Sequence, residues 1–209
     1  MQGYFKARNN DVVVFDAFYR ENPCGGGYAI ACGLEQVIDY IKNLQFSADD
    51  IRYLQSLNMF DEDFLKYLST FRFSGSIYAI PEGTVMFPRE PFIKVIAPIM
   101  EAQLVETAIL NILNHQSLIA TKAARVCYAA QNDGVMEFGL RRAQGPDAGI
   151  YGARAAMIGG CIGVFIAWKI ITSLPMHILI YLVCVVLLWT SYSILSARAK
   201  DLKAKADAK

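Results

Sequence analysis

Two adjacent arginines, Arg141 and Arg142, follow directly on a segment, Val135 to Leu140, that reads as a strand and contains the ring of Phe138. A guanidinium is a planar fork of donors that can grip a carboxylate or a phosphate with two parallel hydrogen bonds, and a nearby aromatic ring can stack on a flat ligand. Arg141, Arg142 and Phe138 together therefore suit a small aromatic acid. The plainer alternative is that both arginines are surface or interface salt-bridge partners, the ordinary state of a charged side chain. The pair alone does not decide between the two.

Other candidates carry less. His115 sits mid-helix in Asn114-His-Gln-Ser, where a hydrogen-bonded helix histidine is the expected state, and it is assigned no chemistry. Gly25-Gly-Gly-Tyr-Ala-Ile fails the G-x-G-x-x-G test because position 30 is Ile, so the glycines read as a turn. Pro81-Glu82-Gly83 reads as a β-turn. The five cysteines are odd in number, scattered and without a C-x-x-C pair, which argues against a disulfide framework and a zinc site and favours a reducing compartment. No catalytic residue and no metal ligand is assigned.

Those arginines must be positioned by an α/β scaffold. Asp11 to Tyr19 is β-branched and aromatic and predicts a strand, broken by Pro23 and Gly25 to Gly27. Leu34, Val37, Ile38 and Ile41 recur at helical spacing, which predicts a helix from Gly33 to about Asn43. Ser47 with Asp50 forms a capping-box-like start for a second helix, and a third is expected from Asp61 to Phe71. Short strands follow at Ile77 to Ile80, Thr84 to Phe87 and Phe92 to Ala97, cut by prolines. Met100 to Gln131 lacks Pro and Gly and predicts one long, mostly buried helix or two abutting ones. Asp133-Gly134 turns the chain into the strand before Arg141, and Pro146 with Asp147 suits the start of a last helix. Ligands of α/β enzymes sit at the carboxyl ends of such strands.

The formal net charge is +1 in 209 residues, so no whole-molecule field points to nucleic acid or a polyanion. The first residues run into polar sequence without the apolar stretch of a secretory signal, and the enzyme-like part is expected in the cytoplasm. Mean hydropathy is +0.30, high for a soluble enzyme, and the excess lies in the C-terminal fifth.

The blocks Glu137-Phe-Gly-Leu-Arg-Arg-Ala-Gln-Gly-Pro-Asp-Ala-Gly to Ala156, Tyr78-Ala-Ile-Pro-Glu-Gly-Thr-Val-Met-Phe-Pro, Ala97-Pro-Ile-Met-Glu-Ala-Gln-Leu-Val-Glu-Thr-Ala and Asn114-His-Gln-Ser-Leu-Ile-Ala-Thr-Lys-Ala-Ala-Arg-Val resemble the nicotinate phosphoribosyltransferases. The resemblance runs from Met1 to about Gly163. It implies a type II phosphoribosyltransferase fold: an α/β N-terminal domain beside an irregular, barrel-like α/β domain, assembled as a homodimer. It implies that nicotinate is joined to phosphoribosyl pyrophosphate, with ATP hydrolysis and Mg²⁺, to make nicotinate mononucleotide in NAD salvage. On this resemblance Phe138, Gly139 and Leu140 line the ring pocket, Arg141 pairs with carboxylate or phosphate, and Arg142 is a second cation at its mouth. A related nicotinamide or quinolinate phosphoribosyltransferase is the disfavoured neighbour.

The family pattern also departs from this chain. Family members begin earlier, with a Thr-Asp-Leu-Tyr segment whose tyrosine packs on nicotinate from the neighbouring subunit. After Ile158-Gly-Gly-Cys-Ile-Gly they continue toward a histidine that accepts phosphate from ATP, where this sequence switches to Val164-Phe-Ile-Ala-Trp. The resemblance therefore implies that the ATP and Mg²⁺ residues and most of the barrel lie outside this chain, which is expected to be inactive alone.

The expected organisation is an N-terminal α/β domain at 1–134, the first part of the barrel-like domain at 135–163, a hydrophobic tail at 164–197 and a charged end at 198–209. Met176 to Leu195 has no formally charged residue, and a helix of that length spans roughly 30 Å. It qualifies as a transmembrane helix, with a fully buried core helix as the alternative. Trp189 and Tyr192, followed by Arg198, Lys200, Lys203 and Lys205, favour a cytoplasmic C-terminus for an inserted tail. Ala155 to Leu174 is a weaker second span, interrupted by Lys169, and Gly159 with Gly163 makes a G-x-x-x-G pair. The alternative function is a membrane-anchored interaction or dimerisation module derived from the enzyme.

Overall fold

Strand propensity, caps and prolines place the elements close to where the sequence predicts them. The structure is a computed structural model that describes residues 1–131 and 133–173, with side chains as far as residue 165. The chain divides into two compact units, Met1–Val164 and Phe165–Lys209. The proposed span at 176–195 and the charged end at 198–209 lie outside the described residues.

The elements of the first unit run in order as α1 (Gln2–Lys6), β1 (Val12–Ala17), a 3-10 turn (Pro23–Gly25), β2 (Ala29–Ile30), α2 (Leu34–Asn43), α3 (Ala48–Ser56), α4 (Glu62–Ser69), β3 (Ser76–Ala79), β4 (Val85–Met86), β5 (Ile93–Pro98) and α5 (Ile99–Ala130). A second 3-10 turn (Gly139–Arg142) follows, and then α6 (Pro146–Ser173). Helix α3 opens on the predicted capping box, with the Ser47 hydroxyl accepting from the Asp50 N–H at 3.1 Å and the Asp50 carboxylate accepting from the Ser47 N–H at 2.7 Å.

Strands β1, β5 and β3 form an antiparallel sheet in the order β1-β5-β3, with Val12 opposite Pro98 and Ser76 opposite Ile96. The period of two puts Ile93, Val95 and Ala97 on one face of β5, all buried. They pack with Ala102, Val105, Ile109 and Leu113 of α5 to make the main core. The α5 stripe is narrower than the sequence implies. Positions 102, 105, 109, 112, 113, 116, 117, 120 and 124 are buried, whereas Leu110, Leu118, Val126 and Tyr128 are exposed. A helix packed on one side buries only the turns that face the sheet.

Strands β2 and β4 pair with each other, and the free edge of β2 is satisfied by α5. The Ile30 N–H donates to the Thr121 hydroxyl at 2.8 Å, and the Cys32 N–H to the Ser117 hydroxyl at 3.0 Å. Ser117 returns a hydrogen bond to the Cys32 carbonyl at 2.9 Å. Buried backbone donors need such partners, which is why hydroxyl side chains sit inside the long helix.

Helix α6 runs parallel to α5. His115 meets Ala148, Ile119 meets Gly152, Ala120 meets Gly159 and Ala124 meets Gly163, so both chains advance in the same direction and the intervening chain travels back. The stretch Pro146–Phe165 is long and apolar enough to cross a membrane by length and composition alone, a property it shares with core helices of soluble proteins. Here one face of it is packed: Ala155 is fully buried in a cluster with Ile30, Cys32, Ala120 and Ala124.

One expectation is corrected. Val135 to Leu140 is not a strand: residues 134–138 have no regular structure and Gly139–Arg142 winds into a 3-10 turn. The residues have strand propensity, but a strand's N–H and C=O groups need a neighbouring strand. The described strands are paired as β1-β5-β3 and β2-β4, and none borders this segment. Val135, Met136, Phe138 and Leu140 are all exposed.

Candidate functional site

The Arg141 segment borders an open cavity of about 760 Å³ lined by Glu137, Phe138, Leu140, Arg141, Gly149, Ile150 and Ala153. One wall is the 3-10 turn and the residues before it; the other is the first turns of α6. The Gly139 N–H donates to the Glu137 carboxylate. Leu140 packs so closely on α6 that a Cβ on Gly149 would lie 2.3 Å from its Cδ1. Of the sequence-predicted site residues, the cavity brings together Phe138, Leu140 and Arg141. Gly139 and Arg142 belong to the turn but not to the lining. Chemically this is an apolar cleft with one guanidinium and one carboxylate at its rim, which suits a flat ring bearing an anionic group.

His115 fits the uncatalytic reading: its Nε2 donates to the Ala148 carbonyl at 3.2 Å and helps hold the start of α6. The glycine turn holds too. Arg125 lies across it, with its guanidinium 5.5 Å from the centre of the Tyr28 ring and donating to the carbonyls of Tyr28 at 3.1 Å and Pro23 at 3.3 Å.

A second polar cluster escaped the sequence reading. Arg154 of α6 binds Glu82 with both arms of its fork, Nη2 to Oε2 at 2.6 Å and Nη1 to Oε1 at 3.1 Å. It also pairs with Glu35 and donates to the Gln116 side-chain oxygen at 3.3 Å. Glu82 Oε1 in turn accepts the Gly33 N–H at 2.6 Å, at the entry to α2. Burial pushes the Glu82 carboxyl up, but the Arg154 fork, the Gly33 N–H and the Arg154 charge outweigh it, and it ionises below its ordinary value of 4.5. The same bidentate bond raises the Arg154 guanidinium further. The β-turn at Pro81-Glu82-Gly83 is present, with the Thr84 N–H donating to the Pro81 carbonyl at 3.3 Å. Its central residue, however, is an anchor as well as a turn residue.

Glu101, in the first turn of α5, is buried and accepts from the Ser74 N–H at 2.6 Å and the Ser74 hydroxyl at 2.8 Å. It ties the chain before β3 to α5. Burial raises the Cys32 thiol to about 11, with the Glu82 charge adding to the shift. Among the described residues no three His, Cys, Asp or Glu side chains stand together to hold a metal ion.

Comparison with known proteins agrees with the fold. Residues 1–114 match the nicotinate phosphoribosyltransferase (NAPRTase) N-terminal domain. The chain is 45% identical over 162 residues to a nicotinate phosphoribosyltransferase of Mycobacterium tuberculosis, covering 78% of this chain and 35% of that protein. It is 48% identical over 147 residues to the nicotinate phosphoribosyltransferase of Bacillus subtilis, covering 70% of this chain and 30% of that one. The crystal structure of human nicotinic acid phosphoribosyltransferase superposes with a TM-score of 0.69 at 34% identity, over 76% of this chain and 33% of the human one. The chain thus spans about a third of the length of the curated relatives it matches. A sheet-and-long-helix core that matches this domain's description across more than half the chain settles its lineage: the chain belongs to the nicotinate phosphoribosyltransferase family.

Proposed function

We propose that the cavity between residues 137–142 and the start of α6 receives the pyridine acid of the family's reaction, nicotinate. The observation that supports this reading is that Phe138 and Arg141 line the same cleft. The ring offers a face for the pyridine and the guanidinium a fork for its carboxylate. In the reaction the pyridine nitrogen forms a bond to the ribose anomeric carbon of phosphoribosyl pyrophosphate while the bond to pyrophosphate breaks. These residues would contribute by orienting the flat acid so that its nitrogen points toward the incoming ribose.

Supply of ATP, Mg²⁺ and the pyrophosphate-binding groups belongs, on this proposal, to the remainder of a complete family member, with a second subunit closing the site. On this proposal residues 135–163 belong to the opening of a second, barrel-like domain, and in this chain they pack within the compact unit Met1–Val164. Helix α6 returns parallel to α5, and Val135, Met136, Phe138 and Leu140 of the chain that joins them stand exposed.

Titration of the chain with nicotinate, nicotinamide and quinolinate by calorimetry tests the reading. Nicotinate should bind at least about tenfold more tightly than nicotinamide, which cannot offer a charged oxygen pair to Arg141. Equal affinities for acid and amide would refute the assignment.

A further inference from the structure

We propose that Arg154 is a positioning residue for this cavity, clamping the α6 wall in register against the rest of the domain; the inference deepens the pyridine-acid reading and rests on it. Arg154 follows Ala153, which lines the cavity. Successive residues of a helix point about 100° apart, so the wall and its anchor share one turn of α6 and face different ways.

The anchor is built from rigid parts. Glu82 sits in the turn between β3 and β4, Glu35 in the first turn of α2, and Gln116 on the fully buried seam of α5. Gln116 is fixed in its own right, donating to the Gln36 side-chain oxygen at 2.7 Å. Gly33, whose N–H binds Glu82, holds a positive φ of +110° with Ile112 O 3.2 Å from where a Cβ would be, so the loop carrying it sits tightly on α5. One guanidinium thus ties the β3–β4 turn, α2 and α5 to the helix that forms the cavity wall.

The rest of α6 is attached differently. At Gly159 and Gly163 it lies against α5 by close backbone approach. The early turns that carry Gly149, Ile150 and Ala153 have directional anchors in Arg154 and in the Ala148 carbonyl that His115 binds. A bidentate fork fixes rotation and height of the helix as well as proximity. Loss of the fork should therefore loosen the cavity wall while the later turns stay docked.

The test compares the 209-residue chain with its Arg154→Lys, Glu82→Gln and Glu35→Gln variants, by amide hydrogen exchange and by nicotinate titration. Lysine keeps the charge but loses the fork. Arg154→Lys and Glu82→Gln should each speed exchange across residues 139–153 about tenfold, leave β5 and residues 102–113 of α5 unchanged, and weaken nicotinate binding by about tenfold. Glu35→Gln, with 63% of that side chain exposed, should shift both readouts less. Unchanged exchange across 139–153 in the variants would overturn the proposal, as would an equal speed-up throughout β5 and α5, which marks general destabilisation. Should Arg154→Lys fail to fold, Glu82→Gln decides by the same criteria. Absence of nicotinate binding by the unsubstituted chain would count against the pyridine-acid reading alone, because the exchange arm judges the clamp independently.

Discussion

Gly159 of α6 lies against the backbone of Ala120 in α5 so closely that a Cβ at position 159 would stand 2.0 Å from the Ala120 carbonyl oxygen. At Gly163 the corresponding distance to the Ala124 carbonyl oxygen is 2.3 Å. The G-x-x-x-G spacing that can serve helix pairing in membranes is used here inside the first unit, where two helices meet backbone to backbone. Gly159→Ala and Gly163→Ala should each destabilise the fold by about 2 kcal/mol, because the clashing atoms are backbone and the helices must separate. Gly27→Ala, with nothing within 4 Å of the added Cβ, should stay within about 0.5 kcal/mol. Urea unfolding followed by circular dichroism measures all three.

The Glu82 carboxyl gives a pH dependence with a definite sign. Its folded pKa is depressed below the ordinary 4.5, so its stabilisation is complete above that value and is lost as pH falls through the lower folded value. Urea midpoints recorded from about pH 6 down to about pH 3 should fall in the unsubstituted chain, with a shallower fall in Glu82→Gln. An identical slope in the two proteins would show that Glu82 does not contribute.

Thiol chemistry should separate the described cysteines by environment. Cys32 is 2% exposed and its thiol is raised to about 11, chiefly by burial, whereas Cys24 and Cys161 are exposed. Alkylation at about pH 8 with peptide mapping should label Cys24 and Cys161 in the folded chain and Cys32 only after unfolding, because the thiolate is the reacting form. Labelling of Cys32 at the rate of Cys161 would contradict its buried place beneath α5.

Local signals made much of the fold legible. The Ser47 and Asp50 capping box, the short strand after Pro91 and the Pro146 helix start are all set by residues within a turn or two of one another, and each is where the sequence puts it. The strand at Val135 to Leu140 failed for the opposite reason. Its strand propensity is a local property, but becoming a strand requires a partner, and no described strand borders it. The cavity was half legible: the Phe138 and Arg141 pair could be named from residue type, whereas Gly149, Ile150 and Ala153 entered only through the docking of α6. Arg154 and Glu82 were missed because they are 72 residues apart. Neither position has a local feature that announces an ion pair, and the turn reading of Glu82 was sufficient by itself. The one available signal was that both fall within the blocks that resemble the family.

The central claim is that Arg141 grips the carboxylate of a pyridine acid, and nicotinate affinity of the Arg141→Ala chain tests it most directly. Arg141 is exposed at the end of a short turn, so its removal should leave the melting temperature nearly unchanged while raising the nicotinate Kd by at least about tenfold, the loss of a charge-assisted bond. A Kd equal to that of the unsubstituted chain would contradict the account.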